Sequence, residues 1–174
     1  VPISAPEWHP IAVHFPLALT VTAAFLLSAA HIGRLARHST ALATVGTWNL
    51  CLGAVGAVVA LGTGLAAMVS IHLDPAARAA VALHIKWAMF TAMALVLLAV
   101  WRGAGNAADA KPSRYFLIAL WGVTAALIFT GYRGGQNVYR YGVAVQRDAG
   151  NPRHTAPSRP EGATNHEQEP VHEQ

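Results

Sequence analysis

Apolar residues fall into four long runs separated by short polar breaks: Pro10–Ile32, Thr44–Ile71, Ala80–Trp101 and Tyr115–Tyr132. Each run is close to the ~20 residues an α-helix needs to cross a hydrocarbon layer. Ala and Leu dominate them, and none alternates with period two, so strands are excluded. The pattern predicts an all-α integral membrane four-helix bundle running up-down-up-down. Pro10 suits a first helical turn, and Pro16 is expected to kink the first helix beside His14. Gly46, Gly53, Gly56, Gly62 and Gly64 thin the second run, which lets helices approach closely or leaves room for a flat cofactor. Gly134 and Gly135 are expected to break the fourth helix. The Val- and Tyr-bearing stretch after them, to Val145, is then an extended or interfacial segment that folds back over the outer face. The chain divides into a membrane domain over residues 1–146 and a polar tail over 147–174, disordered or bound to a partner.

Composition agrees with a membrane class. The 174 residues are 54% hydrophobic and 11% charged, against ~25% charged in a soluble domain. A single cysteine, Cys51, lies mid-span and forms no intrachain disulfide. No basic stretch precedes the first run, so that helix is expected to act as its own insertion signal. Basic residues sit in short loops without interleaved aromatics, which excludes nucleic acid as a partner. Arg34, Arg37, Arg102, Lys111 and Arg114 lie in the first and third loops, while the N-terminus and second loop hold Arg78. This bias puts those loops in the cytoplasm and both termini in the periplasm of a bacterial inner membrane; Arg133, Arg140 and Arg147 count against it.

Histidines supply the candidate chemistry. His14 and His84 each lie about four residues inside the start of a run, and the first and third runs start on one membrane face. At about 1.5 Å per residue, both imidazoles sit roughly 6 Å deep in the same leaflet. A buried ionisable residue in a membrane needs a partner or a ligand. Two neutral imidazoles at one depth suit the axial positions of one b-type haem, with His14 and His84 as metal ligands. Gly62 and Gly64 fall near that layer, and Arg133 at the end of the fourth run suits a propionate. The alternative is that each imidazole bonds a neighbouring carbonyl or hydroxyl as polar glue. His9, His72 and Met68 are interfacial or packing residues in one view, and a copper site or proton relay in another. Lys86 is expected to snorkel to the interface. His31 and His38 lie at the opposite end with no histidine at matching depth, so the expected haem count is one.

The opening His9-Pro10-Ile11-Ala12-Val13-His14-Phe15-Pro16-Leu17-Ala18-Leu19 resembles the HP-x-x-VHFP signature of a bacterial family of predicted inner-membrane proteins, domain of unknown function 2231. The likeness continues through Gly62-Thr63-Gly64, His84 and the stretch from Thr130-Gly131 to Val145, covering about residues 8–146. It implies a four-helix membrane domain that sometimes accompanies c-type cytochrome modules, and implies no settled activity. Three functions therefore stand: a haem-b electron-transfer subunit, a cofactor-free structural or assembly subunit, and a copper- or proton-handling protein. Partners expected for the first are a periplasmic c-type cytochrome or a larger respiratory complex, and a quinone. Orientation has a direct test: alkaline phosphatase fused to the C-terminus should be active, and a C-terminal reporter active only in the cytoplasm would reverse the orientation.

Overall fold

A computed structural model describes residues 5–71, 73–103 and 110–143; the polar tail lies outside them. The described chain is helical: α1 Ala5–Ala12, α2 His14–Ala29, α3 Ser39–Val69, α4 Pro75–Gly103 and α5 Arg114–Tyr141, with a 3-10 turn at Gly33–His38. Four spans are long and apolar enough to cross a membrane, α1 and α2 together forming the first. The architecture is the expected four-helix membrane bundle. In sequence order α2, α3, α4 and α5 pack as neighbours, α5 returns to α2 to close the ring, and α1 lies against α3.

The ends of the helices follow from local chemistry. Pro16 has no N–H for the carbonyl of Ala12, so α1 stops there. The joint at Val13 keeps helical angles (φ −66°, ψ −22°) and its N–H still reaches the His9 carbonyl at 3.1 Å. The expected kink is thus a soft joint three residues before the proline. Asp74 caps α4 by accepting the Ala77 N–H at 2.7 Å, with Pro75 in the first turn where no donor is needed. Ser113 caps α5 through the Phe116 N–H at 3.2 Å.

One expectation fails here. Gly134 and Gly135 do not break the fourth helix, and no extended segment folds back over the bundle among the described residues. Helix α5 runs straight through both glycines to Tyr141. A glycine inside a helix costs only about 1 kcal/mol, which packing readily overrides. The stop comes at Gly142, whose φ of 60° is in the left-handed region and whose N–H closes on the Val138 carbonyl at 2.9 Å. With 28 to 31 residues, α3, α4 and α5 are about 42–46 Å long. They overrun a ~30 Å hydrocarbon core, which carries end residues such as Arg140 towards water.

Side-chain size along the seam then divides the bundle. Buried and half-buried positions recur at spacings of three and four: 43, 46, 50, 53, 57, 60, 64 and 67 in α3, and 77, 81, 84, 88, 91, 95, 98 and 102 in α4. This is the repeat of left-handed helix bundles. Towards one end the seam is filled by Leu27, Leu50, Leu95 and Leu120, one from each helix and all fully buried, with Leu98 and Phe116. Arg102 is buried at that end, donating to Thr47 Oγ1 at 3.0 Å and to the Ala110 carbonyl, with Phe116 beneath it. His31 also serves this end, donating from Nε2 to the Pro112 carbonyl at 2.8 Å. Towards the other end Ala, Gly, Thr and His replace the leucines, and the bundle is hollow. Large side chains such as Phe25, Trp48, Phe90, Leu97 and Ile118 face outward, as lipid contact requires.

Close approach of α2 and α3 rests on Gly46 and Gly53. A methyl placed on Gly46 would lie 2.7 Å from Leu27 Cγ, and one on Gly53 2.9 Å from Thr20 Oγ1, whereas Gly62 has open space around it. Gly46→Ala should therefore lower the unfolding free energy in detergent by about 1–3 kcal/mol. Gly62→Ala should shift it by less than about 1 kcal/mol, towards greater stability. A thermal or denaturant melt of each variant checks both.

Candidate functional site

The hollow end encloses a cavity of about 460 Å³, within the ~300–1,000 Å³ of small-molecule sites. α1, α2, α3, α4 and α5 all contribute to its wall, which is mostly Ala, Leu, Val, Ile and Pro. Three histidines line it: His9, His14 and His84. Among the described residues, no carboxylate does.

His9 is held by α3. Its Nδ1 donates to the Ala60 carbonyl at 2.9 Å and lies 3.4 Å from Thr63 Oγ1, which itself donates to the same carbonyl at 3.0 Å. A carbonyl only accepts, so the proton sits on Nδ1 and the lone pair on Nε2. The ring lies flat on the backbone of Gly64, where a methyl would come within 2.8 Å of Cε1. Gly64 is on the seam of α3, and any side chain there would fill the space the imidazole uses.

His84 repeats the arrangement on the other side. It stands on the α4 seam, and its ring rests on Gly134 of α5, where a methyl would lie 3.2 Å from Cε1. Its Nδ1 is buried with no hydrogen-bond partner. The Thr130 backbone is within hydrogen-bonding reach of the ring, and His9 and Arg133 are its electrostatic neighbours. Arg133, half-buried on α5, has a buried Nε that is also without a partner. Asn137, one turn further along α5, is buried and lines the cavity. The mostly apolar cavity thus carries His9 from α1 and His84 from α4, while Arg133, an electrostatic neighbour of His84, is not in its wall.

The residues singled out from the sequence fall out unevenly. His14 and His84 line one cavity, but His14 is exposed and bonds only within its own span, donating from Nδ1 to the Pro10 carbonyl at 2.6 Å. Gly64 is in the wall; Gly62 is not, being exposed, and a methyl placed on it would meet nothing within 4 Å. The assignment of Gly62 to the site is therefore corrected: two residues from Gly64, it points about 200° away around the helix. Met68 lines the cavity, Lys86 is exposed, and His72 lies outside the described residues. Among the described residues, no three His, Cys, Asp or Glu side chains gather as a metal group.

His9 and Gly134 are the residues whose roles the sequence pattern did not single out. Both could have been found by extending the buried stripe. In the first span Leu27, Ala23, Thr20 and Pro16 step back in threes and fours, and a further seven residues lead to His9 and not His14. In α5, Thr130 and Asn137 bracket Gly134 on the same stripe.

No curated protein and no solved structure matches the chain. The pattern of one family, described as a predicted membrane protein, matches residues 6–147, so the chain belongs to the family known as domain of unknown function 2231.

Proposed function

We propose that the protein is a membrane electron-transfer subunit whose cavity takes one b-type haem. The observation that carries this reading is the pair of imidazoles, His9 and His84, that line one mostly apolar cavity, each packed on a glycine. The residues fit such a group on three counts. His9 and His84 both line the cavity. Gly64 and Gly134 open the two cradles that a Cβ would close. Imidazole nitrogens suit iron, and the wall is mostly apolar.

In this reading His84 and an imidazole of the first span, His14 or His9, would hold the haem iron. The Nδ1–H bonds of both first-span histidines to backbone carbonyls fix their tautomer and leave Nε2 available, as ligating histidines require. Arg133, near His84 but outside the cavity wall, would supply positive charge towards an acidic substituent of the group. Haem, when bound, supplies the one-electron chemistry; the protein orients it, excludes water from its faces and sets its charge environment. The charge bias of the loops supports a bacterial inner membrane with both termini periplasmic, which puts the cavity on the periplasmic side. There a c-type cytochrome or a larger respiratory complex, and a quinone, are the partners the site suits.

A structural role without cofactor has one observation in its favour. The His9–Ala60 bond fastens α1 to α3, which polar glue alone would also explain. The two readings separate in a single spectrum. Protein isolated intact with its partners should show low-spin b-type bands in a reduced-minus-oxidised difference, and His84→Ala should release the haem or turn it high-spin. Wild-type protein with no haem band leaves the structural role standing.

Arg133 generates a second expectation. A cation beside a redox centre favours the reduced form, so Arg133→Gln should lower the midpoint potential and weaken haem retention in a potentiometric titration. An unchanged potential would remove Arg133 from the site.

A further inference from the structure

Two first-span histidines line the cavity, and they cannot both face the same way. Five residues separate them, so their side chains diverge by about 140° around the helix. Depth along the span is a poor guide to which one turns inward; the buried stripe is a direct guide. It runs through Leu27, Ala23, Thr20 and Pro16 and continues to His9. His14 is off the stripe and exposed.

We infer that His9, rather than His14, is the second iron ligand opposite His84; this rests on the haem reading above and goes beyond it by choosing between two imidazoles. Three independent features support the choice. His9 is fixed by a neighbouring helix, through Nδ1 to the Ala60 carbonyl at 2.9 Å, whereas His14 is held only by the Pro10 carbonyl of its own span. An external anchor of this kind sets the orientation of a ligating imidazole and raises its basicity. His9 also has a dedicated seat, Gly64, which matches the seat of His84 on Gly134; His14 has no such glycine among those with neighbours. Finally, His9 on α1, packed on α3, and His84 on α4, packed on α5, bring two imidazoles to one cavity from separate helix pairs. His14 is then a wall residue at the mouth of the chamber.

Methionine variants of the full-length protein test the assignment, because methionine keeps a ligand while changing its chemistry. His9→Met should replace a nitrogen by a thioether sulfur and raise the midpoint potential, since His/Met ligation favours ferrous iron. His14→Met should keep the bis-imidazole spectrum and the wild-type potential. Gly64→Ala is the second variant: it leaves both histidines in place but puts a methyl 2.8 Å from His9 Cε1, and should diminish the low-spin ferric signal by displacing the ring. If wild-type protein carries no haem, the haem reading fails and this inference with it. If wild type carries haem and His14→Met alters the spectrum while His9→Met does not, the haem reading stands and the assignment of His9 is overturned. A haem indifferent to both substitutions overturns it too. If both alter the spectrum, or His9→Met does not fold, Gly64→Ala decides: a wild-type signal in that variant overturns the assignment.

Discussion

Side-chain volume along one helical seam governs everything else in this bundle. Between helices in lipid there is no gain from hiding apolar surface, so the backbones come together only where shape allows dispersion contacts and polar bonds. At one end four leucines, one per helix, meet at full burial and leave no space. Beyond them the seam of α3 is built from Ala54, Ala57, Ala60, Gly64 and Ala67, and the facing positions of α4 and α5 are His84, Thr91, Thr130 and Gly134. The helices are held apart by the leucine layer and have too little side chain to fill the gap further along. The cavity is the consequence of that switch in volume, and the rigid leucine end serves as the clamp that keeps it open.

Polar groups inside such a chamber are held to a strict standard, because no water pairs them at low cost. His9 meets it through Ala60, and Arg102 meets it at the far end through Thr47 and Ala110. His84 Nδ1 and Arg133 Nε do not. Both atoms are closed off from the cavity. The glycine beneath each imidazole leaves room for the ring against the helix backbone that a Cβ would take.

Much of the fold was legible in the sequence, because hydropathy over ~20 residues responds to a physical requirement that nothing else meets. The four spans, their alternation and the polar breaks follow from it. Helix ends were less legible. Asp74 caps a turn ahead of the apolar run, so α4 begins five residues before it, and polar residues carry α5 nine residues past its run to Tyr141. Gly134 and Gly135 misled because glycine carries two meanings: backbone freedom, which suggests a break, and absence of a side chain, which suggests a seat. Inside a lipid-embedded helix the second prevails, since breaking backbone hydrogen bonds there costs more than the propensity of glycine returns. The site was half legible. Matching depth pointed to the end of the bundle that is hollow and to His14, His84 and Gly64, which line the cavity, whereas Arg133 and Gly62 do not. It carries no information about direction around the helix axis, and direction is what separates His9 from His14 and Gly64 from Gly62.

Iron held between two imidazoles in the hollow half is the central claim. Electron paramagnetic resonance of the air-oxidised protein, isolated intact with its partners in native lipid, tests it most directly. The expected result is one low-spin ferric signal of the bis-imidazole type, in stoichiometry with the chain. A spectrum without a ferric haem signal, or with high-spin haem alone, would contradict it.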